Sequence, residues 1–334
     1  MSGVPVIPAA VFSAAARTLD TIGYSSERVV ARAKLPPYQF LEPHSKIPGI
    51  HMYRLFAQAA REIGDAAFGT MVADREPITS LPGLGRAMSV SPTPYAAVTT
   101  ISRLYSSATN VARFWTVAAE NEGIWWLRKS FLPSCVGARQ LEIASLAYMV
   151  QTVRAYSRSD WRPATIRLER DSIPQLNRLE PFGDAEVQYN RGVTGIAIPP
   201  SVLSRFFVPS APEDTVDADR MFTDAAAEGL VGSLTQLLRS MIRLAPPRIQ
   251  AVAEIGGMHP RTLQRRLEAE GLTFKKLVDQ SRFLETADLM RDEDVPLVDI
   301  AHAVGYSDQA HFNHAFRRWA GVTPSSYRSQ LHQG

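Results

Sequence analysis

Two short stretches near the carboxyl end carry side chains suited to reading nucleic-acid base edges. The first holds Arg261, Thr262, Gln264 and Arg265; the second holds Gln309, Ala310, His311, Asn313, His314 and Arg317. Arginine can chelate guanine O6 and N7, and glutamine or asparagine can pair with adenine N6 and N7, each pair discriminating by about 1–3 kcal/mol. In each stretch two large apolar residues stand four apart, Leu263 with Leu267 and Phe312 with Phe316. A helix that buries those anchors turns the polar set outward. His311 and His314, three apart, could also ligate a metal. No Cys, Asp or Glu is expected within one turn on that face, and no metal or other cofactor is assigned.

The two stretches belong to an internal repeat. Ala253 is followed four residues later by Gly257, then Met258 and His259; Ala301 is followed at the same offset by Gly305, then Tyr306 and Ser307. The small residue lets two helices approach, and the glycine supplies the positive φ of a tight turn, as in a helix-turn-helix. The turns are offset by 48 and the anchors by 49, which places one extra residue at the second helix start. Between the copies, Thr273 is the expected cap of a helix from Phe274 to Met290, roughly 25 Å long. Adjacent major grooves on one face of DNA lie about 34 Å apart, so this helix is a suitable spacer. One chain would then read two neighbouring, non-identical half-sites.

The segments PRIQAVAEIGGMHPRTLQRRLEAEGLTFKKL and PLVDIAHAVGYSDQAHFNHAFRRWAGVTPSSYR resemble the paired helix-turn-helix domain of AraC/XylS-type transcription regulators. GYSDQAHFNHAFRRWAGVTPSSYR is similar to the family's carboxyl-terminal signature, and Arg282 and Ala287 also match. The resemblance covers about residues 222–334. It implies double-stranded promoter DNA and RNA polymerase as partners, and activation more often than repression. His259 stands where the family usually has a serine cap, so the first recognition helix is expected to fray or to be held by packing.

The front part reads as α+β. Helical spacing runs over Ala9–Ile22, about Ser26–Lys34, Gly49–Ile63, a stretch capped by Asp65 toward Ala73, Pro94–Ala108 and Ala138–Tyr156. Strands are expected at Val111–Ala119 and Ile124–Phe131 about an Asn121-Glu122-Gly123 turn, and near Thr165–Glu169, Ala185–Tyr189 and Gly195–Ile198, with a last helix from Pro200 to about Phe207. Helices with a small antiparallel sheet would therefore form residues 1–208. The acidic run PSAPEDTVDAD lies in a linker, 209–221, and an all-α double helix-turn-helix fills 222–334. IGDAAFGTMVADR, LGRAMSVSPTPYAA and FGDAEVQYNRGVTGIAIPPSVLSRFF resemble the arabinose-binding-like amino-terminal domain of the ornithine-utilisation branch of that family. That resemblance implies a small-molecule effector and a homodimer.

Two features could hold the effector. Trp115, Trp125 and Trp126, with Phe114, could line a pocket where the hairpin meets the helices, or could simply be core. Arg158 and Arg162 form an Arg-x-x-x-Arg pattern of the kind that grips a cyclic dinucleotide such as cyclic di-GMP, with Arg167 and Arg170 close behind. The partner motif of that pattern is missing, and a solvated face pairing with Glu169 and Asp171 is the alternative. A regulator without ligand, controlled by its own abundance, is a further reading.

Composition excludes other classes. The chain has 334 residues, 45% hydrophobic and 21% charged, which is ordinary for globular proteins and unlike disordered or fibrous ones. Lys and Arg number 36 against 33 Asp and Glu, so any nucleic-acid binding must use locally segregated charge. The lone Cys135 excludes an intrachain disulfide. Pro82–Ser89 holds Gly-x-Gly without the Lys-Ser/Thr of a phosphate loop and reads as the start of a helix. No hydrolase or zinc-protease motif appears, and the chain is expected not to be an enzyme. With no charged leader and no apolar run of membrane-spanning length, a cytoplasmic protein without membrane contact is expected.

Overall fold

The computed structural model describes residues 4–38, 42–64, 68–81, 83–119, 123–132, 134–157, 160–173, 176–205, 229–244, 246–256 and 258–332. It divides into two compact units, Pro5–Ala226 and, together with Met1–Val4, Ala227–Gly334. The linker stretch 209–221, Asp65, the tip of the expected hairpin turn and Phe207 lie outside the described residues.

The front unit opens with an antiparallel pair, β1 (Val6–Pro8) and β2 (Lys46–Pro48). Each runs straight into a helix, α1 (Ala9–Thr21) and α3 (Gly49–Ile63), with α2 (Ser26–Arg32) between them. These three-residue strands are too short to show a period and were not expected. Gly49 is required where α3 begins, because a Cβ there would stand 2.2 Å from Val111 Cγ1. α2 stops at Arg32, short of the expected Lys34, which lies beyond its C-cap Ala33 at φ 54°.

Helices α4 (Phe68–Arg75), α5 (Leu84–Ser89) and α6 (Pro94–Ala108) follow. Thr93 caps α6 by accepting from Ala96 N–H, with Pro94 at the first helical position where no amide is needed. The Gly-x-Gly spans the start of α5, with Gly83 as its N-cap and Gly85 inside it as a packing device: a Cβ on Gly85 would meet the Thr79 carbonyl oxygen at 2.1 Å. A five-stranded sheet then forms from β3 (Ala112–Ala119), β4 (Gly123–Ser130), β5 (Thr165–Arg167), β6 (Glu186–Gln188) and β7 (Thr194–Ile198). Its order is β3-β4-β7-β5-β6, antiparallel throughout except for the parallel pair β5–β6. Helix α7 (Ala138–Ser157) supplies Ile143, Leu146, Val150 and Val153 to the core under Trp126, Ile166, Ile196 and Ile198. The last described front helix, α8 (Pro200–Leu203), ends four residues before the expected limit.

The carboxyl-terminal unit is helical in all its described elements. It contains α9 (Gly229–Leu244), α10 (Ile249–Ile255), α11 (Pro260–Ala269), α12 (Phe274–Leu289), α13 (Leu297–Ala303), α14 (Gln309–Ala320) and α15 (Pro324–Leu331). α9 is clamped to α12 by charge. The buried Glu285 carboxylate accepts from Arg239 Nε at 2.8 Å and Arg243 Nε at 2.5 Å, and Arg239 also reaches Asp288. Burial opposes the Arg239 charge, but the two carboxylates outweigh it and raise its pKa.

Candidate nucleic-acid interface

The repeat reappears as backbone geometry. Ala253 and Ala301 are fully buried, and their carbonyls accept from Met258 and Tyr306 N–H, both at 2.9 Å. In the second copy Gly305 turns the chain at φ +86°; its counterpart Gly257 lies outside the described residues. Pro260 and Gln309 open the two recognition helices 49 positions apart, so the extra residue, Ser307, sits in the turn before the second cap.

Both helices bury their anchors completely: Leu263 and Leu267 in α11, Phe312 and Phe316 in α14. Arg261, Gln264 and Arg265 are exposed on α11, with Thr262 half-buried; on α14, Gln309, Ala310, His311, Asn313, His314 and Arg317 are all exposed. Several arginines of this unit are used inside it. Arg239 and Arg243 hold Glu285, Arg318 reaches Asp279 at 3.5 Å, and Arg328 donates to the Val295 carbonyl. Arg261, Arg265 and Arg317 form no ion pair among the described residues.

The caps differ from expectation. His259 does cap α11, its Nδ1 accepting from Arg261 N–H at 3.3 Å. Asp308 caps α14 by accepting from His311 N–H at 2.8 Å, and its second oxygen meets His311 Nδ1. A carboxylate therefore does stand one turn from His311, contrary to the sequence reading, and it is used as a cap. Hydrogen bonds from the His311 backbone and ring hold the Asp308 carboxyl below its ordinary range. The 16-residue α12 between the modules spans roughly 24 Å.

Comparison with known proteins agrees with this geometry. Residues 252–330 match a helix-turn-helix domain, and residues 23–207, more than half of the chain, match the arabinose-binding domain of AraC transcription regulator, N-terminal. The chain belongs to the AraC family of transcription regulators. Within it, this AraC-type chain is similar to VirS of Mycobacterium tuberculosis, 40% identical over 93 residues, 28% of this chain and 27% of that one. It is similar to VqsM of Pseudomonas aeruginosa, 33% over 112 residues, 33% of this chain and 34% of that one. The ornithine utilization regulator of Pseudomonas aeruginosa is 33% identical over 101 residues, 30% of each chain. Each alignment thus spans about a third or less of the relative's own length.

The front unit of this AraC-type chain separates the residues grouped from sequence. Adjacent strand residues point to opposite faces. Trp126 turns into the core and donates its indole N–H to Ser102 Oγ at 2.9 Å. Trp125 packs on the other face with Leu127, Ala197 and the half-buried Trp115, under the Arg167 guanidinium at 3.8 Å. The tryptophans therefore do not converge on one pocket. Nor do the arginines: Arg162 pairs with Glu180 at 3.4 Å, beside Arg154, and Arg170 pairs with the buried Glu142 at 3.2 Å. Arg158 lies outside the described residues.

A different basic residue was missed. Arg128, on β4, is only 4% exposed. Strand alternation from Trp126 carries the signal that it points inward.

Among the described residues no helix is long and apolar enough to cross a membrane. Burial raises the Cys135 thiol, which disfavours the reactive thiolate.

Proposed function

We propose that this AraC-family chain is a cytoplasmic, sequence-specific transcription regulator that reads two adjacent half-sites, one with each recognition helix. Arg261, Thr262, Gln264 and Arg265 meet one major groove; Gln309, Ala310, His311, Asn313, His314 and Arg317 meet the next. The stretch 209–221 joins this reader, 222–334, to a front domain that binds a small-molecule effector. Effector binding changes promoter occupancy through dimerisation or through the freedom of the two modules, and it does so only by its differential affinity for the two states. The regulator acts as an activator, through RNA polymerase, and the front domain performs no catalysis.

The observation that carries this reading is the sorting of arginines. Arg239 and Arg243 are engaged by Glu285 and Arg328 by the Val295 carbonyl, while Arg261, Arg265 and Arg317 are exposed on the recognition helices with no ion pair among the described residues. Unbiased selection of duplexes by the full-length protein, followed by footprinting, tests it. Two protected segments about one helical turn, roughly 10–10.5 base pairs, apart are expected. A single protected groove per monomer overturns the two-site reading, and no preferred duplex overturns the function.

A further inference from the structure

Along the core side of β4 stand Ile124, Trp126, Arg128 and Ser130. Ile124 packs against the core, Trp126 donates to Ser102, and the Ser130 hydroxyl meets that of Tyr53 at 3.0 Å. Arg128 has no such match. It is 4% exposed, its Nε is sealed from solvent without a hydrogen-bond partner, and among the described residues it forms no ion pair.

The neighbouring acids are occupied. Thr194, the cross-strand partner of Arg128, donates its hydroxyl to Glu142, which also accepts from Glu169 N–H and pairs with Arg170. The Glu169 side chain is held by Lys129 at 2.8 Å. On the other side the cross-strand partner is Phe114, whose ring meets Tyr105 edge-on at 4.8 Å. Burial around the Tyr105 hydroxyl pushes its pKa up to about 12, so this hydroxyl stays a neutral donor. A guanidinium buried without a counter-charge is costly, by several kcal/mol per ion after relaxation.

We propose that Arg128 anchors the carboxylate of a small effector whose apolar body lies against Tyr105 and Phe114. The proposal rests on the reading of the front unit as an effector domain and names the ligand class. One planar fork matches one carboxylate bidentately. A phosphate dianion would call for a second cation, and Arg162, Arg167 and Arg170 are engaged elsewhere.

Thermal unfolding of the full chain tests this with phenylacetate and octanoate, their uncharged amides, and inorganic phosphate. One or both carboxylates should raise the wild-type Tm by roughly 5 °C at a hundredfold excess over Kd, while the amides and phosphate leave it unmoved. Arg128→Met should abolish the response without lowering the ligand-free Tm, because it removes an unpaired buried charge. The proposal fails if neither carboxylate acts, if phosphate alone protects, or if Arg128→Met responds like wild type. It also fails if Arg128→Met lowers the ligand-free Tm markedly and Arg128→Lys restores it without restoring the response, which would make Arg128 a structural residue. Duplex binding measured on the same preparations separates the two readings: intact binding without a carboxylate response removes this site alone, whereas no binding at all removes the regulator.

Discussion

The first helix-turn-helix is closed by aliphatic side chains and the second by rings. In the first module the buried apolar residues, Leu263 and Leu267 with Val252, Ala253 and Leu277, are all aliphatic. Phe312 and Phe316 instead sit in a cluster with Phe283, Tyr306, Trp319 and Tyr327, ring centroids 5.4 to 6.3 Å apart. The caps differ in the same sense: a neutral imidazole nitrogen at 3.3 Å in the first module, a carboxylate at 2.8 Å in the second. One backbone repeat thus carries two chemistries. The second module is also backed by α15, whose Tyr327 packs on Phe283 and Phe316. The lesson is that duplicated reading heads need not be equally rigid.

The largest test of this contrast is in the cores. Phe316→Ala empties the centre of the aromatic cluster and should cost about 3–5 kcal/mol, against about 2–5 kcal/mol for Leu267→Ala. Hydrogen exchange on the full chain should show each loss confined to its own module. If Leu267→Ala also loosened α14, the modules would be one cooperative unit and the comparison would break. Next comes the clamp both modules share. Glu285→Gln leaves Arg243 without its carboxylate and Arg239 with Asp288 alone, and each arginine keeps over a quarter of its side chain in solvent. We expect a loss of about 2–4 kcal/mol, below the range for a sealed pair. Denaturant titration measures it, and exchange should quicken in α9 and α12 before either recognition helix.

Smaller still is the effect on base reading. Arg265→Ala should cost about 1–3 kcal/mol at one base pair and relax preference there, while leaving the second half-site intact. Binding measured on duplexes varied one position at a time checks this. An equal loss on every sequence would make Arg265 a phosphate contact, accompanied by a shallower salt dependence.

Much of this was legible in the chain itself, and the failures have physical causes. α3 and α6 fall on their expected bounds because fifteen residues of 3.6-fold periodicity, closed by Gly64 in one case and opened by Thr93 in the other, leave little freedom. β1 and β2 escaped because three residues carry no period. Trp125 and Trp126 were grouped as one pocket although neighbours in a strand face opposite ways. The same alternation turns Arg128 toward the core, but its lack of a partner depends on where Glu142 and Glu169 spend their oxygens. That pairing is decided by tertiary structure. Whether His259 reaches the Arg261 amide is hidden for a related reason: it depends on a ring rotamer, which spacing does not report.

Those caps give the finest test of the contrast. Asp308→Ala should expose the first amides of α14 more than His259→Ala exposes those of α11, because a carboxylate bond at 2.8 Å is replaced rather than a long imidazole bond at 3.3 Å. The effect also has a pH signature. The Asp308 carboxyl is held below its ordinary value by the His311 amide and ring, so the folded state binds fewer protons there than the unfolded chain does. Its contribution is complete above the unfolded value, about 3.9, and is lost as pH falls through the lower folded value. Amide exchange at His311, followed as the solution is acidified through that window, should therefore gain protection factors' worth of opening in wild type and none in Asp308→Ala. The Arg261 amide, capped by His259, should show no carboxylate step in the same window. A matching step at both amides would mean that the two helix starts open together, and the modules would then differ in composition but not in mechanics.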